Sequence, residues 1–258
     1  MAVDGETIHV AIEGRLATLT LDRPPLNIFD LGMLAELDRA FERIAEHSEL
    51  QLVVVRSAQK VFSAGVAVEI HVPEHIPAML ETFHGALRKL WRLEPLTLAA
   101  VHGHCLGGGM ELALCCDLVL AEASARFGQP EIHVGCYPPV AAALLPRRIG
   151  MGNALDLMVT GRAIDASEAE RLGIVQRVVP EGDLASGLAA FNQEILQGSA
   201  VAQKLAKRAG RASLGQDFFE GALQASERLY LEDMARAADV EEGARAFLEK
   251  RPPVWQHR

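Results

Sequence analysis

The chain has 258 residues, half of them apolar and 23 % charged, which excludes global disorder and fits one generous core. A formal net charge of −9 excludes a general nucleic-acid or anionic-membrane surface, so a polyanionic ligand needs a local basic patch. The opening "MAVDGETIHV" shows no basic region followed by an apolar one, no apolar run reaches spanning length, and Cys105, Cys115, Cys116 and Cys136 read as reduced buried thiols, so a soluble cytoplasmic protein is expected.

Two β-type runs, "IHVAI" and "LATLTL", open the chain around the turn "EGR". After the loop "DRPPLN", "LGMLAELDRAFERIAEH" carries Leu34, Leu37, Phe41 and Ile44 as a helical stripe. "LQLVVVRS" reads as a buried strand, followed by the loop "AQKVFSAG", a helix from about Ile76 to Leu93 and the strand "PLTLAAVHG". A glycine turn and helix come next, then the strand "DLVLAEAS". Ser167 and Glu170 stand in capping-box spacing before the strand "IVQRVV", and from Gly182 onward the pattern is helical. Alternating strands and helices predict an α/β core with a helical tail.

The segment "HCLGGGMELALCCD" places three glycines, Gly107 to Gly109, just before an acid, Glu111, in otherwise apolar sequence. A glycine turn leading into a helix presents free N–H groups and the positive helix end, a setting for an anion or a developing oxyanion. The phosphate-loop and dinucleotide glycine patterns are absent, and close backbone packing is the alternative reading. A buried carboxylate must be hydrogen-bonded, paired or protonated. Twenty positions on, "FGQPEIHVG" carries Glu131 after Pro130, and the intervening strand can return the chain to the same pocket. Two half-shielded carboxylates suit the holding and splitting of a water molecule; a surface loop acid is the alternative for Glu131.

"HVPEH" (His71, Glu74, His75) has the spacing of a helical zinc site, but Pro73 interrupts it and no third ligand stands nearby, so no metal is expected. His102 and His104 read as packing or loop residues. No nucleophile elbow occurs, and no cysteine has an evident base partner.

Taken together, "LTLDRPPLN", "VFSAGV", "GHCLGGGMELALCCDLVLAEASARFGQPEIHVG", "LPRRIG" and "MVTGRAIDASEAERLGIVQRVVP" resemble the crotonase (enoyl-CoA hydratase/isomerase) superfamily along nearly the whole chain. The resemblance implies a spiral of ββα units over residues 1–195 carrying an acyl-CoA site. It also implies a helical oligomerisation region over 196–258 that forms a homotrimer or dimer of trimers. It assigns catalysis to Glu111 and Glu131, and an oxyanion hole to the backbone N–H groups of Val66 and Gly108. Arg23, Ala64, Val68, Gly107, Pro139 and Val140 become substrate-binding positions. No cofactor is implied, since CoA is part of the substrate. Retention of both glutamates favours water addition.

The departures are local. Ala67 and Glu69 stand where the family often has Asp and Lys, which removes an expected CoA-phosphate contact. Pro139 replaces a pocket glycine, and Val140 to Ala142 are bulkier than the usual small residues, which is expected to close the channel of a long acyl chain. With "HVPEHIPAMLETFH" and "GQPEIHVGCYPPVAA", the chain looks closest to cyclohexa-1,5-diene-1-carbonyl-CoA hydratases of anaerobic benzoyl-CoA degradation. Met79, Leu80 and Phe83 are the expected second wall. A linear-chain enoyl-CoA hydratase and a non-catalytic binding protein of the same fold are the rival readings.

Overall fold

Alternation builds the first hairpin. In β2 (Ile8–Glu13) and β3 (Leu16–Leu21) the core takes Ile8 and Val10 from one strand, and Ala17, Leu19 and Leu21 from the other. β1 (Ala2–Asp4) pairs antiparallel to β2. The computed structural model describes residues 2–72, 74–215 and 217–258. The chain continues through α1 (Leu31–Ala45), β4 (Leu52–Ser57), a 3-10 turn at Val68–Ile70 and α2 (Ile76–Arg92). Next come β5 (Leu96–Val101), β6 (His104–Leu106), α3 (Gly108–Cys115), β7 (Leu118–Glu122), β8 (Arg126–Gly128) and a 3-10 turn at Pro130–Val134. α4 (Pro139–Ile149), α5 (Met151–Thr160), β9 (Ala163–Asp165), α6 (Ala166–Leu172) and β10 (Arg177–Val179) follow. α7 (Leu184–Leu196), α8 (Ala200–Ala212), α9 (Phe218–Glu232) and α10 (Ala238–Leu248) complete the chain.

The large sheet runs β1-β2-β3-β4-β5-β7-β10, antiparallel up to β3 and parallel beyond it. α1 lays Leu34, Leu37, Phe41 and Ile44 on the core, and the Asp30 side chain caps it by accepting from Met33 N–H at 2.9 Å. The expected capping box at Ser167 and Glu170 is corrected. β9 holds Asp165 extended, so that residue becomes the cap and accepts from Glu168 N–H at 2.8 Å, while Ser167 falls inside the first turn.

A second, small sheet, β6-β8-β9, places the functional residues. β6 and β8 are parallel with Leu106 opposite Gly128, so the chain leaves both strands side by side. Gly107 N–H then donates to Gly128 O at 2.9 Å, and the glycine turn lies against the segment that carries Glu131. α3 is buried along its length, and Arg148 of α4 closes its far end by donating to Leu114 O and Cys116 O at 2.7 Å. The late helices pack back on this core. Lys207 of α8 bonds Asp117 at 2.7 Å and the carbonyls of Leu93 and Pro95, and α9 lies on α2 and α4. No helix among the described residues is long and apolar enough to cross a membrane.

Candidate active site

Three backbone segments meet at the glycine turn, and the glycines are there because side chains would not fit. Gly107 has φ 52°, and a Cβ on it would come within 2.6 Å of a Glu131 carboxylate oxygen. A Cβ on Gly108 would meet the Val66 side chain at 2.7 Å, and one on Gly109 would meet Ser63 at 2.7 Å. Close packing therefore accounts for all three glycines, and the same turn opens a helix. Gly108 opens α3, so its N–H is one of the helix's unpaired first-turn donors. Phe29 bridges the Val66 segment by donating to Gly65 O and accepting from Ala67 N–H, which leaves the Val66 N–H on the opposite edge. Ser63 Oγ, accepting from Gly65 N–H at 3.0 Å and donating to Asn27 O at 2.7 Å, fixes that loop.

Glu111 sits in the first turn of α3, 4 % exposed. Its Oε1 accepts from Val140 N–H at 2.8 Å and Ala141 N–H at 3.0 Å, both in the first turn of α4. One oxygen is thus held by a helix N-terminus. Burial raises the Glu111 pKa, opposed by the charge of His84 and by these two N–H bonds. Glu131, in the 3-10 turn Pro130–Val134, is pushed up further by burial and then by the Glu111 charge. Its side-chain neighbour is Gln129, whose NH2, turned toward the acid, lies 3.2 and 3.1 Å from the two oxygens. Of the two, Glu111 is the acid with the stronger donors.

Both acids border a cavity of about 240 Å³ whose wall also contains Gly107, Gly108, Val66 and Pro139. Ala64, Val68, Met79, Leu80 and Phe83 line it as well. Arg23 does not reach it, being ion-paired with Asp30 near the start of α1. Val140 contributes its N–H to Glu111 while its side chain packs in the core with Ala141. The segment Val140 to Ala142 therefore does not wall the cavity. Tyr137, Pro138 and Pro139 do, because the chain turns into α4 there.

Sequence reasoning missed His84 on α2 and Tyr230 on α9, which also line the cavity. Glu227 of α9 approaches His84 at 2.7 Å across 143 residues of sequence, a pairing with no local signal. Of the "HVPEH" residues, His71 lines the cavity and bonds Ala67 O through Nδ1, and Pro73 lies outside the described residues. No His, Cys, Asp or Glu cluster suited to a metal occurs among the described residues. The four cysteines are unpaired and buried.

Two N–H groups without a backbone acceptor among the described residues, those of Val66 and Gly108, border an apolar cavity with two carboxyl groups beside them, an arrangement suited to holding an oxyanion and moving protons through water. The sequence model of the enoyl-CoA hydratase/isomerase family matches residues 11–258. A cyclohexa-1,5-dienecarbonyl-CoA hydratase of Thauera aromatica is 37 % identical over 246 residues, covering 95 % of each chain. A probable enoyl-CoA hydratase of Mycobacterium bovis is also 37 % identical, over 98 % of this chain and 99 % of its own. The crystal structure of a carnitinyl-CoA hydratase from Mycobacterium avium superposes with a TM-score of 0.86 at 29 % identity, covering 99 % of this chain and 100 % of that one. The chain belongs to the enoyl-CoA hydratase/isomerase family: it has the crotonase fold and is a hydro-lyase of the enoyl-CoA hydratase type.

Proposed function

We propose that this hydratase acts on a cyclic dienoyl-CoA, adding water to cyclohexa-1,5-diene-1-carbonyl-CoA to give 6-hydroxycyclohex-1-ene-1-carbonyl-CoA. The observation that carries this reading is the cavity itself. At about 240 Å³ it is small beside the roughly 300–1,000 Å³ of sites for drug-sized ligands, and its walls are the rigid Pro138–Pro139 turn and the Met79, Leu80 and Phe83 side chains. A flat ring loses little freedom on entering such a space, whereas a flexible chain must be frozen.

In this reading the Val66 and Gly108 N–H groups hold the thioester oxygen. Glu111, ionised, takes a proton from water as the hydroxyl oxygen bonds the ring carbon β to the thioester. The π electrons move onto the thioester oxygen as an enolate. Glu131, protonated, then delivers its proton to the far carbon of the conjugated system, and transfer of the water-derived proton from Glu111 to Glu131 resets the pair. The Thauera relative carries the activity in its name, while the equal identity to a probable enoyl-CoA hydratase keeps the linear substrate as the second reading. Specificity constants measured side by side on the cyclic dienoyl-CoA and crotonyl-CoA test the proposal. The ring is expected to win by more than the roughly 10- to 200-fold that one methylene confers. Equal or better activity on crotonyl-CoA removes the ring assignment and leaves the hydratase. The family resemblance also supports a homotrimer or dimer of trimers.

A further inference from the structure

The cavity has a titratable wall that the two glutamates do not explain. His84 is 1 % exposed on α2 and lines the space that holds Glu111 and Glu131. Its Nδ1 lies 2.7 Å from Glu227 Oε1 on α9. Arg88 Nη2 donates to the other Glu227 oxygen at 2.6 Å, and Arg88 Nε donates to Glu220 at 3.0 Å. A carboxylate held on Nδ1 fixes the plane of an imidazole and leaves Nε2 on the opposite edge. Nε2 has no hydrogen-bond partner among the described residues. Two other imidazoles stand on the wall, His71 and His133; His71 Nδ1 meets a carbonyl, Ala67 O, at 2.9 Å, and burial lowers its pKa.

We propose that Arg88, Glu227 and His84 form a positioning relay for Glu111, fixing the imidazole against the cavity wall that it shares with the Glu111 carboxylate. The relay sorts the two acids. His84 acts on Glu111 against the effect of burial, whereas the charge acting on Glu131 is that of Glu111 itself. Glu227 of α9 pairs with His84, and Glu111, Glu131, His71, His133, Tyr137 and Tyr230 share the cavity wall with it; Arg88, on the same helix as His84, holds Glu227 and Glu220. Lys89, with Asp38 and Glu42 of α1, forms a separate and more exposed pair of salt bridges. His84 thus presents its Nε2 edge on the cavity side, and Arg88 is engaged by Glu220 and Glu227.

The test compares the full-length wild type with His84→Gln and Glu227→Gln, reading kcat and KM against pH on an enoyl-CoA that the wild type hydrates. Both variants should move the acid limb of kcat/KM upward by about one pH unit, which is a tenfold loss below the limb. Activity should recover toward wild type at higher pH, and KM should stay within about twofold, as fits a charge acting on the base rather than on binding. An unmoved limb, or a loss equal at every pH, overturns the proposal. Glu227→Gln preserves the shape of the contact, so it decides the matter if His84→Gln folds poorly. The relay rests on Glu111 being the base, and isotope-edited infrared spectra separate the two ideas without turnover. The protonated carboxyl band that Glu111→Gln abolishes should grow at pH 7 in His84→Gln, and a band equal to wild type overturns the relay whatever Glu111 does in catalysis.

Discussion

Glu111 and Glu131 are one residue type in two settings, and their difference is local. Two N–H groups at the start of α4 hold Glu111, while the Gln129 amide faces Glu131. Glu111→Gln and Glu131→Gln should each keep CoA-ester binding and lose hydration by about two orders of magnitude or more, as for removal of an acid/base group. Near-wild-type turnover in either variant would sink that residue's role. A stability effect of opposite sign accompanies the loss. Burial, and then the Glu111 charge, raise the folded pKa of Glu131 well above the ordinary carboxyl value of 4.5. Its contribution is therefore fully present below that value and is lost as pH rises toward the folded pKa. Glu131→Gln should match the wild-type melting temperature near about pH 4 and exceed it increasingly above about pH 6. A variant less stable than wild type at pH 8 would contradict this.

At the scale of elements, the site is a junction of turns whose spacing is set by absent side chains. Gly109→Ala would put a methyl 2.7 Å from Ser63 Cβ and 2.9 Å from its backbone oxygen. Ser63 anchors the loop that carries the Val66 N–H, so the expected result is a shift of that N–H, which in its proposed role as oxyanion donor costs up to about 3–4 kcal/mol of transition-state stabilisation. The fall should appear in kcat, with a stability loss of about 1–3 kcal/mol from overpacking. Unchanged kcat in a folded variant would show that the two loops are not coupled. This junction also marks what the sequence made legible. α1 was readable because Leu34, Leu37, Phe41 and Ile44 repeat at helical spacing, and β4 because its apolar run suits a strand buried on both faces. β6, β8 and β9 are three residues each, too short for any period, yet their register brings Glu131 to Gly107. The two glutamates could be named from their motifs. His84 and Glu227 could not, since a pair 143 residues apart leaves no pattern in either helix.

At the scale of the whole molecule, the helical tail divides its apolar residues between two tasks. Phe219 and Leu223 are buried within the chain itself, and Tyr230 faces the cavity, so these residues need no second copy to cover them. Others remain open. Met151, Leu155 and Val159 stand 60, 46 and 58 % exposed at successive turns of α5, and Val201 and Leu205 do the same on α8 at 68 and 55 %. A repeat of three large apolar side chains on one helix face is a stripe rather than scatter, and such patches mark association surfaces. Closed rotational symmetry lets every copy cover the same stripe, whereas an open arrangement would leave ends exposed. Light scattering at micromolar concentration should therefore report a trimer or a dimer of trimers. The double substitution Leu155→Glu with Val159→Glu puts charges on the stripe of a chain that already carries a net −9, and it should lower the mass toward that of one chain. A wild-type monomer would reject the assembly, and an unchanged mass in the double variant would show that α5 is not the face that holds it together.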